Sequence, residues 1–486
     1  MQALPRRRLQ RALASAATYE EWRTAAEALD RSEGLWAWRS EDPSPYYDHI
    51  LLRRQLEQLR ELRQSGVVSP LISLLQESLY RHLSDLGTQE LYGSARSGTK
   101  FLIHDYLTEV ETSLQHLAGM PERSFPKKEK LKGFRQAERV FGRPALMLSG
   151  GGAFGIYHLG VVKALWEQGL LPRIISGSSM GAIVAAGVCA RDETELAAFF
   201  AHPEHLYRTA FRWQRPSKLL SERTLCDQDQ LLHHIVRNVG DLTFLEAYKR
   251  SGRMLSITVS PNRARQKPRL LNHITTPELT LAHAVLASCA LPVLYPPVRL
   301  QRQTVQGQRV PYAPDETWID GSVCSDLPKM RLARLANVNQ FIVSQANPHV
   351  IPFIPPPKPR PLVPPARQAL FAMAKANAVE LLTFVRQTSQ GLFWPPVLDH
   401  LVALLRQEYL GDLTIHLPFK PLLYRKLLSN PSLEEVQHYI RLGEQAVWPH
   451  LCRLRDRTLV SRTMQEIVAT LSQSGADPSG TSDQSA

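Results

Sequence analysis

Cysteine is scarce in this 486-residue chain, and its pattern excludes two classes of protein. The five cysteines stand far apart at positions 189, 226, 289, 324 and 452. An odd, scattered set forms neither a disulfide framework nor a Cys-x-x-Cys zinc pattern. Cys189, Cys289 and Cys324 have apolar or small neighbours, as buried thiols do, and a reducing compartment is the expected home. Long apolar runs are also missing. No stretch reaches the roughly 20 residues that span a bilayer, and the basic start from Met1 to Arg11 runs too soon into further charge to read as a secretory signal. Acidic residues are in deficit, 45 against 58 lysines and arginines, for a net charge of +13. No finger, helix-turn-helix or RNA-recognition motif accompanies that excess, so nucleic acid is not the expected partner. The histidines form no HExxH or His-x-His group, and neither metal nor cofactor is expected.

Glycine is concentrated where it matters. Leu146-Met-Leu148 reads as a buried strand that runs through Ser149 into Gly150-Gly-Gly-Ala-Phe-Gly155, and Ile156, Leu159, Val162, Leu165 and Trp166 then recur at helical spacing. Glycines 150 to 152 carry no Cβ, so their N–H groups can converge on one oxygen beside a helix N-terminus. Gly150-x-Gly152-x-x-Gly155 also has the spacing of a dinucleotide fingerprint. That fold requires an acidic residue at the end of the second strand, whereas Ile174-Ile-Ser176 ends in Gly-Ser-Ser.

The second strand instead leads into Gly177-Ser-Ser179-Met-Gly181, a G-x-S-x-G elbow followed by the apolar helix Ala182 to Cys189. Ser179 is therefore the candidate nucleophile, at a helix N-terminus that favours developing negative charge. A serine needs a base. Two candidates stand level on spacing alone: His349 in Asn347-Pro-His, and Asp320 in Thr317-Trp-Ile-Asp-Gly-Ser322.

These residues resemble the patatin-like phospholipases and acylglycerol lipases, in particular the branch of yeast and plant triacylglycerol lipases. The resemblance rests on Gly150 to Gly155, Gly177-x-Ser179-x-Gly181, Asp320-Gly-Ser322, Ala287-Ser-Cys-Ala-Leu-Pro292, Asp241 to Tyr248 and Ser344 to His349. Outside the core it extends to Tyr19-Glu-Glu-Trp22, Gly98-Thr-Lys100, Tyr409-Leu-Gly-Asp412 and Ala446-Val-Trp-Pro449, and it covers roughly positions 15 to 455. It implies a Ser179–Asp320 dyad, an oxyanion hole in Gly150, Gly151 and Gly152, supporting roles for Gly155, Gly177, Gly181 and Gly321, and a structural or loop role for His349. Phe154 stands where plant patatins carry a basic residue, so stabilisation of an oxyanion falls to backbone N–H groups. A base at Asp320 requires a partly desolvated carboxylate, and Trp318 and Ile319 allow one. The implied substrate is a glycerolipid ester, triacylglycerol ahead of phospholipid. A cytoplasmic protein held peripherally at an anionic membrane or lipid-droplet surface fits the basic charge. No oligomeric state is implied.

The expected architecture is α/β: a three-layer sandwich around a mostly parallel sheet, with helical regions before and after it. Residues 1–135 read as helical, with elements over Tyr19 to Leu29 and Ile50 to Arg63, a stripe of Leu71, Leu74, Leu75, Leu79 and Leu83, and a closing basic run Lys127 to Lys132. The catalytic domain is expected over 140–350, with strands at 145–148, 173–176, 254–260, 317–319 and 340–344. Leu255-Ser-Ile-Thr-Val259 alternates, which predicts a strand near an edge. A proline-rich linker (351–365), a helical C-terminal region (366–470) and a disordered tail (471–486) complete the expectation. Ala366 to Phe384 and Leu392 to Leu398 read either as core of that last region or as a lipid-facing surface.

Overall fold

The computed structural model describes residues 5–80, 86–214, 224–263, 267–322, 326–351, 354, 409–418 and 425–473. The chain divides into two compact units: residues 1–143 together with 448–486, and residues 144–447. Leu83, the proline cluster apart from Ile354, both apolar stretches between 366 and 398, and the tail from Ser474 onward lie outside the described residues.

The first unit is helical. Thr18 and Asp48 cap the helices Tyr19–Ser32 and His49–Ser65 by accepting N–H bonds from Glu21 and Leu51. Leu52, Leu56 and Leu59, at helical spacing, meet Leu71, Leu75 and Leu79 of helix Val68–Tyr80 in one apolar core. Ile103, Tyr106, Val110 and Leu114 of helix Phe101–Gly119 enter the same core, as do Val460, Met464 and Ile467 of helix Leu451–Gln473. The basic run at Lys127 opens a helix, Lys127–Phe141, and its Lys130 is buried. The Lys130 ammonium donates to the carbonyls of Ala118 and Met120, closing the C-terminus of the preceding long helix. Lys100 is buried as well, donating to the carbonyls of Trp38, Glu41 and Pro43 at 2.5, 2.9 and 3.2 Å.

The second unit carries the sheet. Its strands are β1 (Arg143–Leu148), β2 (Ile174–Gly177), β3 (Met254–Pro261), β4 (Arg269–Asn272), β7 (Trp318–Asp320), β8 (Val338–Gln345) and β9 (Leu413–His416). Their order is β4-β3-β2-β1-β8-β9, with β7 also paired to β3, while β5 (Gln301–Gln303) and β6 (Arg309–Pro311) form a separate pair. β2 runs parallel to β1 and β3, and β9 parallel to β8; β4 and β7 are antiparallel to β3. β3 is not an edge strand. Every residue from Met254 to Pro261 is buried, because Ser256, Thr258 and Ser260 are small enough to sit under packed elements. Its polar alternation reflects tight packing rather than solvent.

β1 has β2 on one side and β8 on the other. Segments leaving β1 and β2 therefore meet at a crevice of the kind where open α/β sheets place their sites. Helices α1 (Tyr157–Glu167) and α2 (Met180–Cys189) follow those strands, and every residue of α2 is buried. Two later helices complete this frame, α3 (Leu281–Cys289) and α4 (Leu433–Val447). No helix among the described residues is long and apolar enough to cross a membrane.

The separate C-terminal helical region is corrected by this arrangement. β9 extends the catalytic sheet and α4 belongs to the second unit, whereas Leu451–Gln473 belongs to the first. Helical periodicity shows which face is apolar but does not name the surface that covers it. The α1–α4 crossing is unusually close: a Cβ at Gly160 would collide with the Ile440 carbonyl, and one at Gly443 with the Tyr157 carbonyl. Beside this seam the Lys163 ammonium pairs with Glu444. Gly160→Ala forces these two backbones apart, and chemical denaturation should show stability lower by about 1–3 kcal/mol.

Candidate active site

The chain leaving β1 is held by hydrogen bonds before it reaches the glycines. Ser149 N–H donates to the Ser344 carbonyl at 3.1 Å, and the Ser149 hydroxyl accepts from Ala346 N–H at 2.8 Å. His158, fully buried, spans the same gap, with Nδ1 2.7 Å from the Ser344 hydroxyl and Nε2 3.0 Å from the Ser149 carbonyl. Burial pushes this imidazole down to about 4, so it is neutral near pH 7 and its Nε2–H faces the Ser149 carbonyl.

The three glycines then pass against other backbone. A Cβ at Gly151 would lie 2.8 Å from the Ala346 carbonyl oxygen, and one at Gly152 would lie 2.6 Å from that of Leu427. Gly152 also has φ +53°, a conformation that favours glycine. A 3-10 turn, Gly152–Ile156, intervenes before α1. Gly150 N–H is spent, donated to Asp326 Oδ1 at 3.0 Å, which removes it from the three expected oxyanion donors. Gly151 and Gly152 are left, and among the described residues nothing accepts a hydrogen bond from their N–H groups. Phe154 is 1% exposed and lies beside Tyr439 of α4, its ring 6.2 Å away, so this position faces the core.

Ser179 caps α2 with φ 52° and ψ −126°, a strained conformation for a residue with a side chain. From Ile174 to Ala190 it is the one residue that is not buried. Its N–H donates to the Ser288 hydroxyl at 3.0 Å, and that hydroxyl donates to the Thr258 carbonyl at 2.9 Å, so β3 and α3 together hold the elbow. Gly177 and Gly181 allow the crossing: a Cβ at Gly181 would strike the Leu148 and Ser149 carbonyls, and one at Gly177 the Gly181 carbonyl. Gly155 likewise leaves room for the Met180 side chain, and Gly321 for the Thr258 backbone.

Asp320 ends β7 opposite Val259 and is 2% exposed. Its carboxylate accepts a hydrogen bond from Ser322 N–H at 2.8 Å, and the Ser179 side chain is among the groups that act to hold its pKa down. Burial raises this carboxyl to about 6 against the lowering effect of the Ser322 and Ser179 hydrogen bonds, which is the desolvation that a carboxylate base requires. His349 is turned elsewhere, 3.2 Å from the Tyr409 hydroxyl, and burial lowers its pKa. Of the two candidates level on spacing, the Ser179 side chain acts on the Asp320 carboxyl, whereas no contact joins it to His349 among the described residues.

Several residues at the site carried no sequence signal that had been read. Ser288 lies inside a motif already noticed and Asp326 just beyond another, but a motif does not say which side chain turns inward. Asn430 is 219 residues beyond Phe211, to which it is bound. Its Oδ1 accepts from the N–H groups of Ala210 and Phe211 at 2.8 Å each, and its Nδ2 donates to the Phe211 carbonyl at 2.7 Å. Three residues earlier, the Leu427 carbonyl accepts from Ala153 N–H at 2.9 Å. The Leu427–Pro431 segment thus touches both the glycine loop and the 207–211 loop. Beside it lies a partly open apolar cavity, lined by Met180, Ile183, Val184 and Gly187 along one face of α2 and also by Phe211 and Pro431.

With this geometry in view, comparison with known proteins is decisive. A patatin-like phospholipase model matches residues 146–332, and a domain of unknown function, DUF3336, matches residues 2–139. Triacylglycerol lipase ptl3 of Schizosaccharomyces pombe is 36% identical over 89% of this chain and 91% of its own length. The chain belongs to the patatin-like phospholipase family. Triacylglycerol lipase 4 of Saccharomyces cerevisiae is 34% identical over 89% of this chain, and SDP1L of Arabidopsis thaliana, also a triacylglycerol lipase, is 34% identical over 94%. The chain matches half the length of the budding-yeast relative and 58% of the plant one. β9, α4 and the Leu427–Pro431 segment all lie beyond the residues that the patatin-like model matches.

Phe154→Arg would restore the charge found at this position in plant patatins but would bury it beside Tyr439. Thermal and chemical denaturation should show a loss of about 3–5 kcal/mol, as expected for an uncompensated buried charge. A variant as stable as the parent would mean that residue 154 reaches solvent at the oxyanion site.

Proposed function

We propose that this chain is a serine acyl-ester hydrolase that cleaves fatty acyl esters of glycerolipids, triacylglycerol foremost, through Ser179 and Asp320. The observation that carries the reading is the strained, partly exposed Ser179 next to the glycine loop at Gly150, with its side chain acting on the buried Asp320 carboxyl. Ser179 Oγ attacks the ester carbonyl while Asp320 takes the hydroxyl proton. The tetrahedral oxyanion faces the N–H groups of Gly151 and Gly152, each donor being worth on the order of 3 kcal/mol. Collapse breaks the ester C–O bond, and Asp320 returns the proton to the departing alcohol. Water, deprotonated by the same carboxylate, then releases the fatty acid and regenerates Ser179.

The apolar cavity supports a long-chain acyl group. It begins at Met180, the residue after the nucleophile, and follows α2 to Gly187, about 10 Å of helix. The relatives, triacylglycerol lipases from two yeasts and a plant, favour a neutral glyceride. The net charge of +13 is compatible with a peripheral position on an anionic lipid surface.

Fatty acid release from triacylglycerol emulsions and from phospholipid vesicles should be compared for wild type, Ser179→Ala and Asp320→Asn. Activity is expected on the emulsion and should fall at least a thousandfold in both variants. Activity that survives in Asp320→Asn would overturn the dyad, and release from vesicles alone would assign phospholipid. Because Asp320 must be ionised to act as a base, and its carboxyl sits at about 6, kcat/KM should decline tenfold per pH unit below that value and level off above it. Gly187→Leu fills the far end of the cavity. If two methylenes lose their place, at about 0.8 kcal/mol each, the preference for long over short p-nitrophenyl esters should fall roughly fifteenfold.

A further inference from the structure

We propose that Asp326 is a positioning residue of the same reaction, a buried anion that holds the glycine loop against the nucleophile elbow and acts on the Ser179–Asp320 pair through its charge. The inference rests on the hydrolase reading above. Asp326 is 2% exposed and joins three segments that leave the sheet at the crevice. From the loop after β1, Gly150 N–H donates to Oδ1 at 3.0 Å; from the loop after β8, Asn347 Nδ2 donates to Oδ2 at 2.7 Å. From the elbow after β2, the Ser178 hydroxyl donates to the Asp326 carbonyl at 2.8 Å. Gly150 is therefore fixed by the same residue that anchors the neighbour of the nucleophile, and the direction of the next two N–H groups, those of Gly151 and Gly152, follows from it. A Cβ at Gly150 would lie 3.1 Å from Asn347 Oδ1 and 3.6 Å from the Cβ of Ser179, so the loop has little room to settle elsewhere.

Gly150 and Asn347 reach the carboxylate as N–H donors, an arrangement that suits the ionised form. Among the described residues, Asp320 and the Tyr409 hydroxyl are titratable groups that face Asp326, and Asp326 and the Cys289 thiol are ones that face Asp320. Burial pushes Asp326 up to about 7, with the neighbouring Asp320 charge adding to the rise. An anion here disfavours the charged form of Asp320 and so makes it the stronger base. When Asp326 gains a proton, an O–H replaces one of its acceptor sites and the hold on Gly150 or Asn347 weakens. The two carboxyls titrate as a pair, and the acidic limb of the rate profile belongs to both.

The test is kcat/KM against pH, from 4.5 to 9, on a medium-chain p-nitrophenyl ester, with the rate of fluorophosphonate labelling of Ser179 as a parallel readout. Asp326→Asn keeps an acceptor for Gly150 N–H and removes the charge. It is expected to lower the plateau of kcat about tenfold with KM within twofold, and to move the acidic limb about one pH unit lower. Asn347→Ala keeps the charge but removes a donor to it, so it should move the limb higher, and it stands in should Asp326→Asn fail to fold. Limbs that stay at the wild-type pH in both variants, whatever happens to the plateau, would reduce Asp326 to a structural residue and overturn the proposal. Failure of the hydrolase reading looks different: neither turnover nor labelling in wild type, or Asp320→Asn retaining both.

Discussion

The active crevice depends on how closely one turn of backbone can pass beneath another. The elbow after β2 crosses under the end of β1: Ser178 N–H donates to the Leu148 carbonyl at 3.1 Å, and Gly181 lies where any Cβ would strike the carbonyls of Leu148 and Ser149. That crossing forces Ser179 into its strained conformation and starts α2 directly beneath the glycine loop. It also explains why α2 is apolar on every side. A helix that begins under one strand and is covered by its neighbours has no face left for water.

The catalytic frame was largely legible in the sequence. β1, β2, β3, β7 and β8 lie within two residues of the apolar runs that predict them, and the glycine loop and elbow occupy the predicted strand ends. These features are local, set by periodicity and by glycine, and local patterns are what a sequence displays. Features that depend on distant partners were not legible. β9 is four residues long and acquires its meaning only by pairing with β8, some 70 positions earlier. Gly150 belongs to the expected oxyanion set by motif, yet its N–H is taken by an aspartate 176 residues away. The surroundings of the two candidate bases were likewise hidden: the Asp320 carboxyl is buried and feels the Ser179 side chain, while the His349 imidazole lies 3.2 Å from the Tyr409 hydroxyl.

Polar groups buried without water have to find protein partners, and here those partners knit the crevice together. His158 links β1 to β8, Ser288 links the elbow to β3, and Asp326 gathers three loops. Each bond joins segments that hydrophobic packing alone would hold only loosely in register. Asp326 follows Asp320 by six positions and Ser178 precedes Ser179, but His158 and Ser288 stand far from both in the sequence. Buried networks of this kind favour a single arrangement, because a shift of any one member leaves the others unsatisfied.

The placement of the last helices has a consequence for biosynthesis. α4 closes over α1 in the second unit, and Leu451–Gln473 fills the core of the first, so each core lacks a wall until residues 433–473 have been made. The Leu427 carbonyl that receives Ala153 N–H arrives nearly as late. Domains made early usually fold while the remainder is still being translated. Here neither core, nor the contact that holds the glycine loop, is complete before residues 427–473 emerge.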